Sequence, residues 1–224
     1  MRIEVGGDYP LIKHKRELEL LLNTIPAHPR PKVELEQYIT PSTLASTLLW
    51  IAEFHFSDLS DKKVLDLGAG TGRLGLGAVL LGANIATLVD IDQDSLLVAR
   101  DWAREKGLYS RVDLVVADVS HLPFRGTLLF DTVIQNPPFG VHRRGADVSF
   151  VRGALKFSNK VYSVHKESAS QYVLTFLERE GFRVEVIYRD RVCLPPMFYW
   201  HRKRMHCFTV VVVRAEKAPE TRDN

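Results

Sequence analysis

The segment 63–82, KVLDLGAGTGRLGLGAVLLG, decides the fold class. It begins with a short apolar run, passes through glycines at alternate positions, and continues with apolar residues at helical spacing. Glycine allows a tight turn and lets the backbone approach a ligand closely. The segment therefore predicts a buried strand, a glycine loop and a helix, as at the start of an α/β domain with a largely parallel sheet.

The rest of the chain extends this pattern in both directions. Downstream, strands and helices alternate as far as Gly181, and two strands without an intervening helix follow. We expect seven strands, mostly parallel, with an antiparallel hairpin at one edge and helices on both faces. Upstream, apolar residues at helical spacing predict a helix over 11–22, and Thr40 followed by Pro41 predicts the N-cap of the next helix, whose core stripe includes Phe54.

Three ranges follow from this organisation. Residues 1–34 form an N-terminal helical extension and a proline-rich strap, residues 35–216 form the main domain, and residues 217–224 form a polar tail.

Composition sets broad limits. The chain has 224 residues, of which 46% are hydrophobic and 25% are charged, and this argues against disorder. A net charge of +3 is too small to indicate nucleic-acid binding by itself. No apolar segment reaches membrane-spanning length, and no signal peptide opens the chain. Cys193 and Cys207 are too few for a disulfide scaffold and lack metal-ligand spacing, so we expect reduced cysteines, a cytoplasmic setting and no metal.

Acidic residues stand at the ends of three successive predicted strands. Asp66 precedes the glycine loop, Asp90 ends the next strand about twenty residues after the loop, and Asp118 ends the third. An acid at the position of Asp90 can bind ribose hydroxyls, and Asp118 with Val119 can bind an adenine amine. Asp66 would repel a pyrophosphate but suits a ligand that carries an amine. Together these positions predict S-adenosylmethionine as the cofactor, whereas Asp92 and Asp94 are expected to cap the next helix.

The fourth strand ends in Asn136-Pro137-Pro138-Phe139. An amine conjugated to a ring is a poor nucleophile, so an enzyme that methylates it must chiefly orient it. The Asn136 side-chain oxygen and the Pro137 carbonyl can accept its two hydrogens, the prolines stiffen the turn, and Phe139 can stack on the base. We expect these four residues to be catalytic, with the base swung out of any duplex or stack.

The sequence resembles the methyltransferase-like protein 5 family and its archaeal relatives. The resemblance is carried by LEQYIT at 35–40, DLGAGTGRLGLGA at 66–78, DID at 90–92, NPPFG at 136–140 and YSVHK at 162–166. It implies a Rossmann-like class I methyltransferase fold and methylation of adenine N6 in small-subunit ribosomal RNA. It also implies a small zinc-binding activator protein as a partner. The expected cofactor-binding residues are Gln37, Thr40, Asp66, Gly68, Gly70, Thr71, Arg73, Asp90, Ile91, Asp118 and Val119.

Basic residues near the Asn-Pro-Pro-Phe motif and in the segment 195–206 predict an RNA surface, because Arg and Lys bind phosphates. The expected RNA-binding residues are Arg143, Arg144, Lys166, Arg202, Lys203 and Arg204. His165 is expected to be an oriented residue behind the site rather than a catalytic base.

The residues leave other functions open. Guanine N2 in ribosomal RNA and a glutamine amide in a release factor are also conjugated amines that suit an Asn-Pro-Pro-aromatic pocket. A cofactor-bound RNA-binding subunit without turnover is a third alternative. Phe139 in place of Tyr favours a nucleic acid over a glutamine amide, and the intact Asn136 favours turnover.

Overall fold

The computed structural model describes residues 12–139, 146–194 and 206–217. Within these ranges the sheet has seven strands: β1 Lys63–Leu67, β2 Ile85–Asp90, β3 Val112–Val116, β4 Thr132–Gln135, β5 Lys160–Lys166, β6 Phe182–Leu194 and β7 His206–Lys217. The same ranges contain six α-helices: α1 Lys15–Asn23, α2 Ser42–Phe54, α3 Arg73–Leu80, α4 Gln93–Glu105, α5 Ala146–Phe157 and α6 Glu167–Arg179.

The strand order is β3-β2-β1-β4-β5-β7-β6. Strands β1 to β5 pair in parallel, whereas β7 is antiparallel to both β5 and β6. The predicted fold class is therefore confirmed. Since β2 lies on one side of β1 and β4 on the other, a crevice forms at the carboxyl ends of these strands, which is where α/β sheets bind ligands.

Alternation along β1 distributes its side chains between two cores. Val64 belongs to the apolar cluster that includes residues of α1 to α4, and Leu65 and Leu67 belong to the cluster beneath α5 and α6. Helix α1 contributes the fully buried Leu18 and Leu22 to the first cluster. The N-terminal helix α1 is thus part of the main core. The division of the chain into ranges 1–34, 35–216 and 217–224 stays a prediction.

Helix α2 departs from the sequence prediction at both ends. Its N-cap is Pro41 rather than Thr40, because the Thr40 hydroxyl contacts Asn136 instead. Phe54, predicted to lie in the core, is 58% exposed and packs against Trp50. The buried stripe of α2 turns away from Phe54 by the last turn of the helix.

Cys193 and Cys207 lie directly opposite each other in the β6–β7 register and are joined by a disulfide bond. The expectation that both cysteines are reduced is therefore wrong in this structure. Their spacing in sequence did not reveal the hairpin register that brings the two sulfur atoms together. Among the described residues, every helix is too short or too polar to span a bilayer.

Candidate active site

A cavity opens at the carboxyl ends of β1, β2 and β4, and it is covered by residues that precede α2. We call residues 28–40 the roof segment. The cavity lining includes these predicted site residues: Gln37, Thr40, Gly68, Gly70, Thr71, Arg73, Asp90, Ile91, Asp118, Val119, Asn136 and Pro138. The fold thus brings together most of the expected cofactor-binding residues and part of the Asn-Pro-Pro-Phe turn.

The glycine loop after β1 presents bare backbone to the cavity. Gly68 has a φ of 69° and Gly70 a φ of 55°, both in the left-handed region that glycine adopts without strain. A Cβ atom at Gly68 would lie 2.6 Å from the ring of Phe150, whereas one at Gly70 would meet no atom within 4 Å. The space beside Gly70 can therefore hold a ligand in close contact with the chain.

Asp90 holds this loop in place from the end of β2. Its Oδ2 accepts a 2.7 Å hydrogen bond from the Gly70 amide, and its Oδ1 accepts one of 2.8 Å from the Asp92 amide. Burial raises the pKa of Asp90, while the two backbone hydrogen bonds oppose that rise. The carboxylate is therefore a fixed acceptor at the cavity wall, as ribose binding requires.

Asp118 lies on the neighbouring strand end and lines the same cavity with Val119. Its Oδ1 accepts a 2.8 Å hydrogen bond from the Ser120 amide and so caps the short 3₁₀ helix Val119–His121. This cap fixes the carboxylate and the adjacent backbone at the end of the cavity beyond β2, where an adenine amine was expected.

Asp66 is the expected cofactor contact that the structure does not bring to the cavity wall. Its side chain points from β1 toward α3, where its Oδ2 accepts a 2.7 Å hydrogen bond from the Gly75 amide. Asp66 is only 1% exposed, and burial raises its pKa to about 7. Strand alternation explains the difference, because Asp66 shares the face of Val64.

The Asn136 side chain is held by two residues of the roof segment. Its Nδ2 donates a 2.9 Å hydrogen bond to Thr40 Oγ1, and its Oδ1 accepts a 3.4 Å bond from the Tyr38 hydroxyl. The Phe139 amide donates a 2.7 Å bond to Glu36 Oε2. Pro137 is buried between these two contacts. The turn that follows β4 is therefore fixed in shape and faces the cavity through Asn136.

An aromatic wall adjoins this turn. Phe139 stacks on Tyr38 and meets Phe208 edge-to-face, with ring centroids 5.2 Å apart in each pair. The Lys166 ammonium lies 5.1 Å from the centroid of Phe139 and 4.8 Å from that of Phe208. Lys166, predicted to bind RNA, thus lies beside the Asn-Pro-Pro-Phe turn.

Asp92 anchors the first part of the roof segment. Its Oδ2 accepts a 2.8 Å hydrogen bond from Gln37 Nε2 and lies 3.0 Å from Lys32 Nζ and 3.2 Å from His28 Nε2. Burial opposes its ionisation, but the hydrogen bonds from Gln37 and Lys32 lower the pKa of Asp92 to about 2. Asp92 also accepts from the Asp94 amide at the start of α4, so its predicted role as a cap is confirmed.

Arg73 anchors the end of the roof segment. Its Nη1 donates a 2.6 Å hydrogen bond to the Thr40 carbonyl, and its Nη2 lies 3.5 Å from the Ile25 carbonyl. Burial lowers the pKa of Arg73 to about 10. Arg73 therefore ties the start of α3 to the chain that covers the cavity.

The sequence patterns did not predict the contacts of Glu36 and Tyr38 with the turn after β4, nor the anchoring role of Asp92. Glu36 and Tyr38 stand inside the LEQYIT motif, which was the only signal that could have found them. His165 is buried, its Nε2 lies 2.6 Å from Ser163 Oγ, and burial lowers its pKa to about 4. It is therefore neutral at pH 7. The predicted RNA-binding residues Arg143, Arg144, Arg202, Lys203 and Arg204 lie outside the described residues.

A sheet with this strand order and with helices on both faces, with a cavity at the carboxyl ends of β1, β2 and β4, is the architecture of Rossmann-like class I methyltransferases. The family model named methyltransferase small domain matches residues 45–160. Protein PH1948 of Pyrococcus horikoshii has a similar solved structure, with a TM-score of 0.83 and 36% identity over 93% of this chain and 100% of that one.

Curated relatives narrow the family further. The rRNA N(6)-adenosine-methyltransferase METTL5 of Danio rerio is 36% identical over 84% of this chain and 92% of its own length. The protein MJ0284 of Methanocaldococcus jannaschii is 34% identical over 91% and 94% of the two chains. This chain therefore belongs to the methyltransferase-like protein 5 family, as the sequence motifs predicted.

Proposed function

We propose that this chain transfers the methyl group of S-adenosylmethionine to N6 of an adenine in ribosomal RNA, with small-subunit rRNA as the expected target. The observation that carries the proposal is the position of Asn136. Asn136 lines the same cavity as the glycine loop and Asp90, and its side-chain oxygen accepts a hydrogen bond from Tyr38, which lines that cavity too. An acceptor for the target amine and a site for the methyl donor thus share one cavity. The relatives that are named rRNA N(6)-adenosine-methyltransferases support the choice of the adenine N6 amine as the target.

The described residues fit the cofactor. The open space beside Gly70 accommodates a ligand against the backbone, and Asp90 offers a fixed carboxylate for ribose hydroxyls. Asp118 and Val119 would hold the adenine, and the loop with Thr71 and Arg73 would hold the amino-acid end. When bound, S-adenosylmethionine supplies an electrophilic methyl group on a sulfonium sulfur.

The protein's own contribution to the reaction is orientation. The Asn136 oxygen and the Pro137 carbonyl accept the two N6 hydrogens and turn the nitrogen lone pair toward the methyl carbon. Such alignment supplies a large share of the rate when the nucleophile is weak. With the cofactor bound, the aligned nitrogen would take the methyl group as its bond to sulfur breaks, and the methylated amine would then release one proton. Burial lowers the pKa of His165 to about 4, so its imidazole is a weak proton acceptor, in keeping with a reaction that needs no strong base.

Mass spectrometry of nucleosides tests this function directly. Small-subunit rRNA transcribed in vitro would be incubated with the protein and S-adenosylmethionine carrying a deuterated methyl group. We expect labelled N6-methyladenosine from the wild type and none from Asn136→Ala, with cofactor affinity within about tenfold in the variant because alignment rather than affinity is lost. Labelled methylguanosine, or full turnover by Asn136→Ala, would contradict the assignment.

A cytoplasmic location and a small zinc-binding activator remain part of the proposal. The activator follows from the family resemblance. Within the described sheet β3 and β6 are the edge strands, and because Val116 of β3 is 55% exposed we propose that an added strand pairs with β3. The tagged chain would be co-purified with such a subunit. Loss of co-purification in Val116→Lys would support docking on β3, and unchanged co-purification would show that the subunit binds another surface.

A further inference from the structure

The side chain of Tyr38 occupies the place that a target base needs. Its ring stacks on Phe139, with centroids 5.2 Å apart and planes 23° from parallel. Its hydroxyl donates a hydrogen bond to Asn136 Oδ1. Stacking on Phe139 and donation to Asn136 are the two contacts that methylation requires of the adenine, so Tyr38 reproduces both.

There is no room for a base and Tyr38 on the same face of Phe139. Flat rings in contact lie about 3.5 Å apart, so a base inserted between two rings needs a separation of about 7 Å. The observed centroid distance is 5.2 Å. Tyr38 and Asn136 both line the cofactor cavity, whereas Phe139, which Tyr38 separates from it, and Lys166 and Phe208 beyond Phe139 are not part of its lining. A base that approaches the methyl donor must therefore take the position of Tyr38.

The roof segment around Tyr38 is suited to release it. Glu36 has a φ of 50°, a left-handed conformation that strains a residue with a side chain. The bond from Tyr38 to Asn136 is 3.4 Å long, which is weak for a hydroxyl donor. Strong anchors hold the segment on either side, at Asp92 and at the Arg73–Thr40 contact. Glu36 and Gln37 on one side and Thr40 on the other are thus held more firmly than the Tyr38 side chain, which can move while the neighbouring residues stay in place.

We propose that Tyr38 is a placeholder for the target base: without RNA it holds the Asn136 turn in its productive shape, and it swings out when the flipped adenine replaces it. The inference rests on the proposed function, since it takes adenine N6 as the reacting group. In this exchange the adenine ring replaces the Tyr38 ring on Phe139, and the adenine amine replaces the Tyr38 hydroxyl as the hydrogen-bond donor to Asn136.

Kinetics of two Tyr38 variants test the exchange. Tyr38→Phe keeps the ring and removes the hydroxyl, and Tyr38→Ala removes both. Because the adenine no longer has to displace a stacked ring, we expect the KM for in vitro transcribed small-subunit rRNA to fall about two- to tenfold in Tyr38→Ala, and less in Tyr38→Phe. We expect Tyr38→Phe to lower kcat far less than Asn136→Ala does, because in this exchange the Tyr38 hydroxyl leaves Asn136 before methyl transfer. Tyr172→Ala, which removes a ring on α6 that is 67% exposed, is the matched control.

A spectroscopic measurement separates displacement from a purely structural role. The protein would be labelled with 3-fluorotyrosine, and the Tyr38 fluorine resonance would be identified by its loss in Tyr38→Phe. We expect this resonance to shift on addition of the rRNA, as the ring leaves Phe139. An unchanged or raised KM in Tyr38→Ala, or a Tyr38 resonance that does not shift, would refute the placeholder role of Tyr38 and leave the proposed function standing. A wild type that forms no N6-methyladenosine refutes the proposed function and the placeholder with it.

Discussion

Gly70 offers a substitution whose cost to folding can be separated from its cost to cofactor binding. Its φ is 55°, and an added Cβ would meet no atom within 4 Å. Gly181, which follows α6, has a φ of 82° and an equally open Cβ position. Alanine at either site places a side chain in the left-handed region at a cost of about 1–2 kcal/mol. Only Gly70 lines the cavity.

The two glycine variants should therefore lose similar stability but differ in binding. For a protein of this size a loss of 1 kcal/mol lowers Tm by about 2–4 °C, so each variant should melt about 2–8 °C below the wild type. The alanine methyl at Gly70 projects into the open cavity. We expect it to weaken binding of S-adenosylmethionine at least tenfold, about 1.4 kcal/mol, while Gly181→Ala binds like the wild type.

Differential scanning calorimetry and isothermal titration calorimetry measure the two effects on the same samples. The pairing removes the objection that reduced affinity reflects general destabilisation, because Gly181→Ala carries the same backbone strain. If both variants bound S-adenosylmethionine equally well, the cofactor could not lie against the glycine loop, and the assignment of the cavity would be wrong.

Three further outcomes are expected. Asp90→Asn, which keeps the size but loses one acceptor oxygen and the charge, should raise the Kd of S-adenosylmethionine about tenfold or more by titration calorimetry; an unchanged Kd would remove Asp90 from the site. Asp92→Asn should keep the α4 cap but release Lys32 and His28, so proteolysis between residues 28 and 40 should be faster while Tm changes little; equal cleavage rates would argue against the anchor. Burial lowers the pKa of His165 from 6.5 to about 4. Between these pH values the unfolded chain therefore binds a proton at His165 that the folded protein does not bind. As pH falls from 6.5 to 4 the wild type should therefore lose about 3 kcal/mol of unfolding free energy relative to His165→Gln in urea titrations, and parallel pH profiles would contradict this.

Sequence patterns predicted the sheet and most of the cavity because both depend on local signals. Apolar runs, glycine loops and helical spacing predicted the alternation of strands and helices. The ends of parallel strands meet at one edge, so Asp90, Asp118 and Asn136 could be placed together without knowing the register. The structure places Asp66 away from the cavity lining, and the reason is local as well. Alternation along β1 turns it away from Leu65 and Leu67 toward α3, where Gly75 leaves room for its carboxylate.

Contacts between distant segments could not be predicted in the same way. The disulfide depends on a hairpin register that places Cys193 opposite Cys207, and spacing in sequence does not specify that register. The exposure of Phe54 depends on how α2 rotates against α1 and α3. Each of these features is decided by packing between elements, which hydrophobic periodicity alone does not encode.

The roof segment shows why such long-range contacts matter for function. Tyr38 and Asn136 are separated by 98 positions, and Glu36 and Phe139 by 103, yet these pairs set the shape of the base pocket. The same segment reaches Asp92 beside the cofactor cavity through Gln37. One stretch of chain therefore contacts both the cofactor side and the base side of the site. Because its ends are held more strongly than Tyr38, admission of the base can be local, and it need not uncover the cofactor.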